Sequence, residues 1–369
     1  MKHLHIISFD IPFPADYGGV IDVFYKIKAL HELGVDITLH CFEYGKREPQ
    51  KELEKHCKKV YYYKRKRSVL DLFSSLPFIV KSRENKDLLA NLQVDNHPIL
   101  FEGLHTCFYL NHPLLKNRYK MVRCHNIEHV YYYSLFENTN NLLKQFYFKS
   151  ESRKLKKYES VLSNANKLFC ISENDTVHFK KINTQSEYIP AFHGNEFINS
   201  NLEFDNYILY HANLCVSENE QMAIYLIQHI FTNKNYNYKI AGKEPSIKLQ
   251  KLLENKTNIE LIANPSNDVL NNLISKAKIN IVTSMIDAGF KLKLINALYL
   301  GGHCIANKLK DESLKKIIHE VDIENSVEFN KKIDVLMHLT FTNQDKEVRN
   351  NYLNNHFSNH NSARMILLA

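Results

Sequence analysis

The 369-residue chain has no tryptophan, only ten glycines and nine prolines, and no apolar run near the roughly 20 residues that a membrane-spanning helix needs. The scarcity of Gly, Pro and Trp, alongside abundant Asn and Lys, reads as coding bias and excludes nothing. The missing apolar run argues against a helical membrane span. A secretory leader is not expected either, because MKHLHIISFDIPF reaches Asp10 and Pro12 before any apolar stretch is long enough. Seven cysteines (Cys41, Cys57, Cys107, Cys124, Cys170, Cys215 and Cys304) are scattered, odd in number and never spaced CxxC. That pattern argues against both a zinc ribbon and a disulfide framework and suits a reducing cytosol. No HExxH or paired-carboxylate spacing occurs, and Asp71 and Asp87 stand isolated, so neither a metal nor another cofactor is expected.

What is present is ordinary globular composition, 44% hydrophobic and 24% charged, in a chain long enough for two domains. The formal charge of +8 is concentrated: Lys46 to Arg67 holds ten Lys or Arg against three Glu, a net of +7. The apolar stretch Ser68 to Val80 follows, closed by Lys81 and Arg83. Such a segment, 46–83, either lies peripherally on an anionic membrane or is a solvated loop beside a core helix. Tyr61, Tyr62 and Tyr63 interleave with its lysines and could stack bases, but no RNA-binding motif accompanies them, and a nucleic-acid partner is not expected.

Along the chain, KHLHIIS predicts a strand, FDIPFPADYGG a loop, and VIDVFYKIKALHELG a helix with Ile21, Phe24, Ile27, Leu30 and Leu33 at helical spacing. Strands VDITLHCF, HPILFEG, KMVRC, KLFCIS and EYIPAF follow, with a long charged helix from Leu142 to Asn166 and a helix capped by Ser172. The polar passage His193 to Asn206 predicts a linker. Strand and helix then alternate again through NYILYHA, YNYKIAG, NIELIA and KINIVTS. The second half turns on Thr283 to Asn307, TSMIDAGFKLKLINALYLGGHCIAN, read as strand end, glycine turn, helix and next strand. The domains predicted are 1–195, 205–343 and a C-terminal helix over 344–369 packing back on the first domain.

In an open parallel sheet, ligands bind beyond the carboxyl ends of the strands. Those ends in the second half are Ala212-Asn213-Leu214, Gly242-Lys243, Asn264-Pro265 and Asp287 to Gly289. A glycine turn opening a helix leaves backbone N–H groups free for an anion such as a diphosphate, and Lys291 and Lys293 add charge in that first turn. Lys243 after Gly242 suits a phosphate in the same way. Each feature alone is equally the mark of an ordinary βα turn or a solvated lysine.

Taken in order, PADYGG, HNIEHVYYY, CISENDTVHF, YIPAF, HANLCVSENEQMA, KIAGKEPS and AGFKLKLINALYLGGHCIAN resemble the GT-B glycosyltransferases, in particular the large retaining family 4-like group that uses nucleotide sugars. The resemblance covers nearly the whole chain. It implies an α/β fold of two Rossmann-like doubly wound domains facing across a cleft. The first is the acceptor side, and the second the nucleotide-sugar donor side. The acceptor it implies is a glycan or a lipid-linked glycan in bacterial surface polysaccharide assembly.

By the same resemblance, Gly18 and Gly19 face the donor phosphates and His125 is the catalytic-site histidine beside the donor sugar. The donor-binding set is completed by Asn213, Lys243, Asn264, Asp287, Gly289, Phe290, Lys291, Lys293 and Asn296. Two glutamates that such enzymes carry with seven residues between them are replaced by Ala288 and Asn296, and an arginine by Asn213. These departures leave open a catalytically inactive member that binds a nucleotide or a partner. Most of the nineteen histidines, His97, His211 and His356 among them, read as ordinary polar residues.

Overall fold

The computed structural model describes residues 2–45, 47–66, 68–139, 141–196, 198–199, 203–284, 292–307, 309 and 312–369. They form two compact units, one of residues 1–194 with 357–369 and the other of residues 195–356.

The first unit is a seven-stranded sheet of β1 (His3–Ser8), β2 (Asp36–Glu43), β3 (Lys59–Lys64), β4 (Ile99–Glu102), β5 (Lys120–Cys124), β6 (Lys167–Cys170) and β7 (Ser186–Tyr188). All neighbours are parallel, in the order β3-β2-β1-β4-β5-β6-β7, so the order reverses between β1 and β4. The helices of this unit are α1 (Gly18–Glu32), α2 (Phe78–Lys81), α3 (Lys86–Leu92), α4 (Glu128–Glu137), α5 (Leu142–Tyr158) and α6 (Glu173–Lys180).

Near-continuous apolar runs such as LHII suit strands covered on both faces. Leu4 and Ile6 join Ile27, Leu30 and Ile37 in one buried layer, while Ile7 points the other way to Phe42, Phe101 and Val122. α1 ends where Gly34 takes φ +79, the left-handed conformation that glycine adopts without strain.

The segment 46–83 is not one loop. β3 lies within it as an edge strand pairing Thr38 with Lys59 through Glu43 with Lys64. Its tyrosines turn to the protein: Tyr63 is buried, and Tyr61 stacks on His40 at 5.2 Å. A lysine at each end of an unbroken Val-Tyr-Tyr-Tyr run had masked the strand's period.

The second unit repeats the plan with β8 (Asp205–His211), β9 (Asn237–Gly242), β10 (Ile259–Ala263), β11 (Ala277–Ile281), β12 (His303–Ala306) and β13 (His319–Glu320). They are parallel in the order β10-β9-β8-β11-β12-β13, reversing between β8 and β11. Its helices are α7 (Ser217–Tyr225), α8 (Ile247–Leu253), α9 (Asn267–Lys276), α10 (Leu292–Leu300), α11 (Ser326–His338) and α12 (Asn343–His356). The core gathers Ile208, Tyr210, Ile240, Ile279 and Ile281 under Leu226, Phe329 and Ile333.

The C-terminal stretch, read above as one helix over 344–369, is two: α12 in the second unit and α13 (Asn359–Leu368) in the first. Ser358 breaks it by capping the Asn361 N–H at 3.3 Å, and Ala363 and Ile366 of α13 enter the core beneath α1.

Candidate functional sites at the strand ends

In the first unit, the carboxyl ends of β1, β4 and β5 carry an ionic cluster buried from solvent. Lys26 of α1 places its ammonium 2.8 Å from Asp22 and 2.9 Å from Glu102, the last residue of β4. Arg123 of β5 reaches Asp22 at 2.8 Å through Nη2 and 3.2 Å through Nε, and donates to the carbonyls of Ile189 (2.7 Å) and Pro190 (2.9 Å). The Phe192 N–H also donates to Asp22, at 2.9 Å. Burial opposes ionisation of Asp22, but the adjacent Arg123 and Lys26 outweigh it and hold the carboxyl well below its ordinary range. Two acids and two bases therefore neutralise one another inside the core.

His125, one residue past β5, sits on this cluster. Its Nε2 is 3.0 Å from Glu102 and 3.9 Å from Asp22, with the edge of Phe9 against the ring at 5.4 Å. With Glu102 ionised, Nε2 carries the proton and donates, leaving Nδ1 as the ring's acceptor. Glu102 thus sets the tautomer and orientation of the histidine singled out from the sequence.

Gly18 and Gly19 are the first two residues of α1 rather than part of the preceding loop. Tyr17, the residue before them, is extended and offers no side-chain cap. The first-turn N–H groups consequently have no partner within the helix, the condition for holding an anion. A side chain at Gly19 would meet the Phe9 ring at 2.7 Å.

A second polar pair lies beyond the same carboxyl ends of β4 and β5. Glu128 Oε1 and His105 Nδ1 are 3.8 Å apart, both buried atoms without a hydrogen bond. Burial pushes the Glu128 carboxyl up to about 8 and holds the His105 imidazole well below its ordinary value.

In the second unit, Gly242 ends β9 so close to β8 that a Cβ there would fall 2.0 Å from the Ala212 carbonyl oxygen. Lys243 and Glu244 follow, both exposed, with Glu244 at φ +48. Asn264, itself at φ +52 after β10, donates its N–H to Gly242 O at 2.8 Å and accepts the Glu244 N–H at 2.8 Å. Its side chain therefore braces the turn that presents Lys243. Asn213 closes its own turn, its Oδ1 accepting the Cys215 N–H at 3.2 Å and its carbonyl taking the Asn219 side chain at 2.9 Å.

At the β8/β11 switch, Lys293 donates to Thr283 O at 3.1 Å and lies 5.4 Å over the Tyr210 ring. Asn296 accepts from the Asn195 side chain at 2.8 Å. Asp287, Gly289, Phe290 and Lys291 lie outside the described residues.

The structure brings forward residues that the sequence reading passed over. His211, set aside there as ordinary, is buried with Nε2 unpartnered, and burial, then the nearby Lys293, lowers it to about 3. Thr283 Oγ1 is likewise buried and unpartnered at this switch. Ser284 donates to Glu218 of α7, and its backbone exchanges hydrogen bonds with the Asn307 side chain at 3.0 and 2.9 Å. Asp22, Lys26, Glu102 and Arg123 were also missed, although charges inside the apolar stripe of α1 and inside the runs ILFE and MVRC were a legible signal.

Among the described residues, two groups bring three potential metal ligands together. Asp22, Glu102 and His125 converge, but Lys26 and Arg123 already supply the positive charge there. In the other, Glu159 joins His129 at 3.2 Å and His178 at 2.8 Å.

Two successive doubly wound sheets in one chain are the two halves of the GT-B glycosyltransferase fold, and the comparisons agree. Sucrose-phosphate synthase of Thermosynechococcus elongatus is similar over 100% of this chain and 98% of its own, at 14% identity and TM-score 0.72. HepE of Anabaena, in complex with UDP and glucose, matches over 100% and 99% at 11% identity and TM-score 0.66. A glycosyltransferase from Rickettsia africae matches over 100% and 97% at 15% identity and TM-score 0.66. In sequence, the chain is 28% identical over 316 residues, 81% of each chain, to an uncharacterized 44.6 kDa protein in the cps region of Klebsiella pneumoniae. No family model matches the sequence.

Proposed function

We propose that this protein is a glycosyltransferase that moves a sugar from a nucleotide-sugar donor to a glycan or lipid-linked acceptor during assembly of a bacterial surface polysaccharide. Transfer proceeds with retention, without a metal, at the cytoplasmic face of the membrane. The observation that carries the reading is the β9 turn. Asn264 braces Gly242 to Glu244 so that Lys243 stands exposed at the carboxyl end of the sheet, beside the strand-order reversal where open α/β sheets bind ligands. HepE, of the same fold, was captured with UDP and glucose, and the Klebsiella relative comes from a capsule region.

In this mechanism the second unit binds the diphosphate through Lys243, Lys291 and the N-terminus of the helix after the glycine turn. That stabilises the departing negative charge, the main catalytic need of the reaction. Asn296 leaves Asn195 to hydrogen-bond the ribose. His125, oriented by Glu102 and backed by the neutral cluster, offers Nδ1 as the acceptor for a sugar hydroxyl.

The bond between Asn296 and Asn195, with Ala288 in place of a carboxylate, favours one other reading: a nucleotide-binding module without turnover. Thermal unfolding with UDP, GDP, CDP and dTDP, each with and without chelator, tests the donor site. One nucleotide at 100 times its Kd adds about 2.7 kcal/mol of stability, undiminished by chelator. Silence from all four removes the donor reading. Stabilisation by a sugar nucleotide that is never consumed with any glycan or lipid-linked acceptor selects the module.

A further inference from the structure

The short turn Val69–Phe73 and the start of α5 present large apolar side chains to solvent. Leu70 and Phe73 are 79% and 85% exposed, and Leu142, Leu143 and Phe146 are 79%, 83% and 80% exposed. Two contacts fasten the turn's segment along α5: Lys154 donates to Leu72 O at 2.7 Å, and Glu151 accepts the Phe78 N–H at 2.6 Å. Leu143 precedes Lys154 by eleven residues, three full turns, so it lies on the helix face the segment runs along, with Phe146 beside it. An open groove of about 490 Å³ is lined by Phe78 and Ile79 of the turn's segment, Tyr147 of α5, Tyr132 of α4 and Arg65. Exposed cations surround them: Lys64, Lys66, Lys144, Lys149 and Arg153. Glu151, the acid of α5, is buried, which leaves Asp71, Glu137 and the Lys81-paired Glu84 near Lys66 as counter-charges among the described residues.

Soluble monomers rarely expose an apolar patch of this kind without a partner. Apolar side chains ringed by lysine and arginine match the negative surface and shallow apolar depth of an anionic bilayer. We propose that the α4–α5 tip and the Leu70–Phe73 turn form one surface that docks on an anionic membrane. The proposal deepens the acceptor side of the proposed function and rests on that reading only for its biological setting. It also narrows the docking surface: of the segment 46–83, only the flanks of β3 and the turn take part.

The test uses the full chain, without nucleotide, so that its outcome is independent of donor binding. The parent protein, Leu143→Ser/Phe146→Ser, Leu70→Ser/Phe73→Ser and Lys144→Gln/Arg153→Gln are sedimented with vesicles of phosphatidylcholine alone or mixed with phosphatidylglycerol. Circular dichroism checks that each variant, altered only at exposed positions, keeps its fold. The parent pellets with the mixed vesicles and is released by salt. Losing two cations lowers partitioning roughly 30-fold, and each apolar pair contributes at least about tenfold. Equal partitioning of parent and apolar variants, or a parent that ignores the anionic lipid, overturns the proposal. So does a vesicle-free parent dimer that Leu143→Ser/Phe146→Ser dissociates, because the patch would then be a self-interface.

Discussion

Lys26 sets its ammonium 2.8 Å from the carboxylate of Asp22, one turn earlier in the same helix, and both side chains are buried. The i,i+4 pair would be ordinary on a helix surface. Here it lies on the buried stripe because Glu102 and Arg123, arriving from two strands, complete a neutral set beneath His125. The cluster stabilises the arrangement only while complete.

Lys26→Met is therefore expected to destabilise the protein by about 3–5 kcal/mol, since it strands the Glu102 charge away from water. Lys26→Met combined with Glu102→Gln recovers part of that loss while leaving His125 without its ionic partner. Urea unfolding of the three proteins measures both effects. A loss below about 1 kcal/mol in Lys26→Met, the level of an exposed pair, contradicts the buried-network reading.

At Gly242 the obstacle is backbone. A Cβ would fall 2.0 Å from the Ala212 carbonyl oxygen and 2.7 Å from Leu214 Cγ, and the oxygen cannot swing aside as a side chain can. Gly242→Ala should cost about 1–3 kcal/mol by overpacking and displace the Lys243 turn. Chemical denaturation gives the first number, and nucleotide affinity reports the second. An alanine variant unchanged in both would mean that β8 and β9 separate freely at this end.

Much of this was legible. Alternating apolar runs and glycine stops placed eleven of the thirteen strands, missing β3 and the two-residue β13, and the order of motifs carried the GT-B fold. β3 was hidden because five of its six residues are lysine or tyrosine, in a strand at the sheet edge. The roles of individual polar residues were less legible. Asn264 was read as a ligand group from its position after a strand, and only its φ of +52 and its bond to Glu244 reveal a brace. His211 looked ordinary because sequence carries no record of an unpartnered nitrogen.

In the proposed donor site, Lys243 and Asn296 would separate by the charge of the group each binds. A hydrogen bond to a charged group is worth about 1.5–3 kcal/mol, so Lys243→Ala should weaken binding of the preferred nucleoside diphosphate roughly 10- to 150-fold. Asn296→Ala should cost about 0.5–1.5 kcal/mol in affinity, because both partners are neutral. Titration calorimetry on folded variants decides between them. Parent-like affinity in Lys243→Ala moves the phosphate site to Lys291 or Lys293.

Glu128 makes the stability of the first unit fall as pH rises from about 4.5 to 8. Its carboxyl is raised from 4.5 to about 8, chiefly by burial, which outweighs the Asn126 hydrogen bond and the Arg83 charge that favour ionisation. Its neighbour His105, 3.8 Å away, is itself held neutral by burial and by Arg83. Between those two values the folded protein keeps a proton that the unfolded chain has released. The stabilisation is complete below about pH 4.5 and is lost as pH rises towards 8, at up to about 1.4 kcal/mol per unit. Glu128→Gln keeps the shape of the neutral acid and removes the titration, so the stability difference between variant and parent should widen in the variant's favour from about pH 5 to 8. Urea midpoints across that range measure it. If the two proteins run parallel instead, Glu128 is ionised in the fold, and the Glu128 and His105 pair must carry a shared proton or a bound cation.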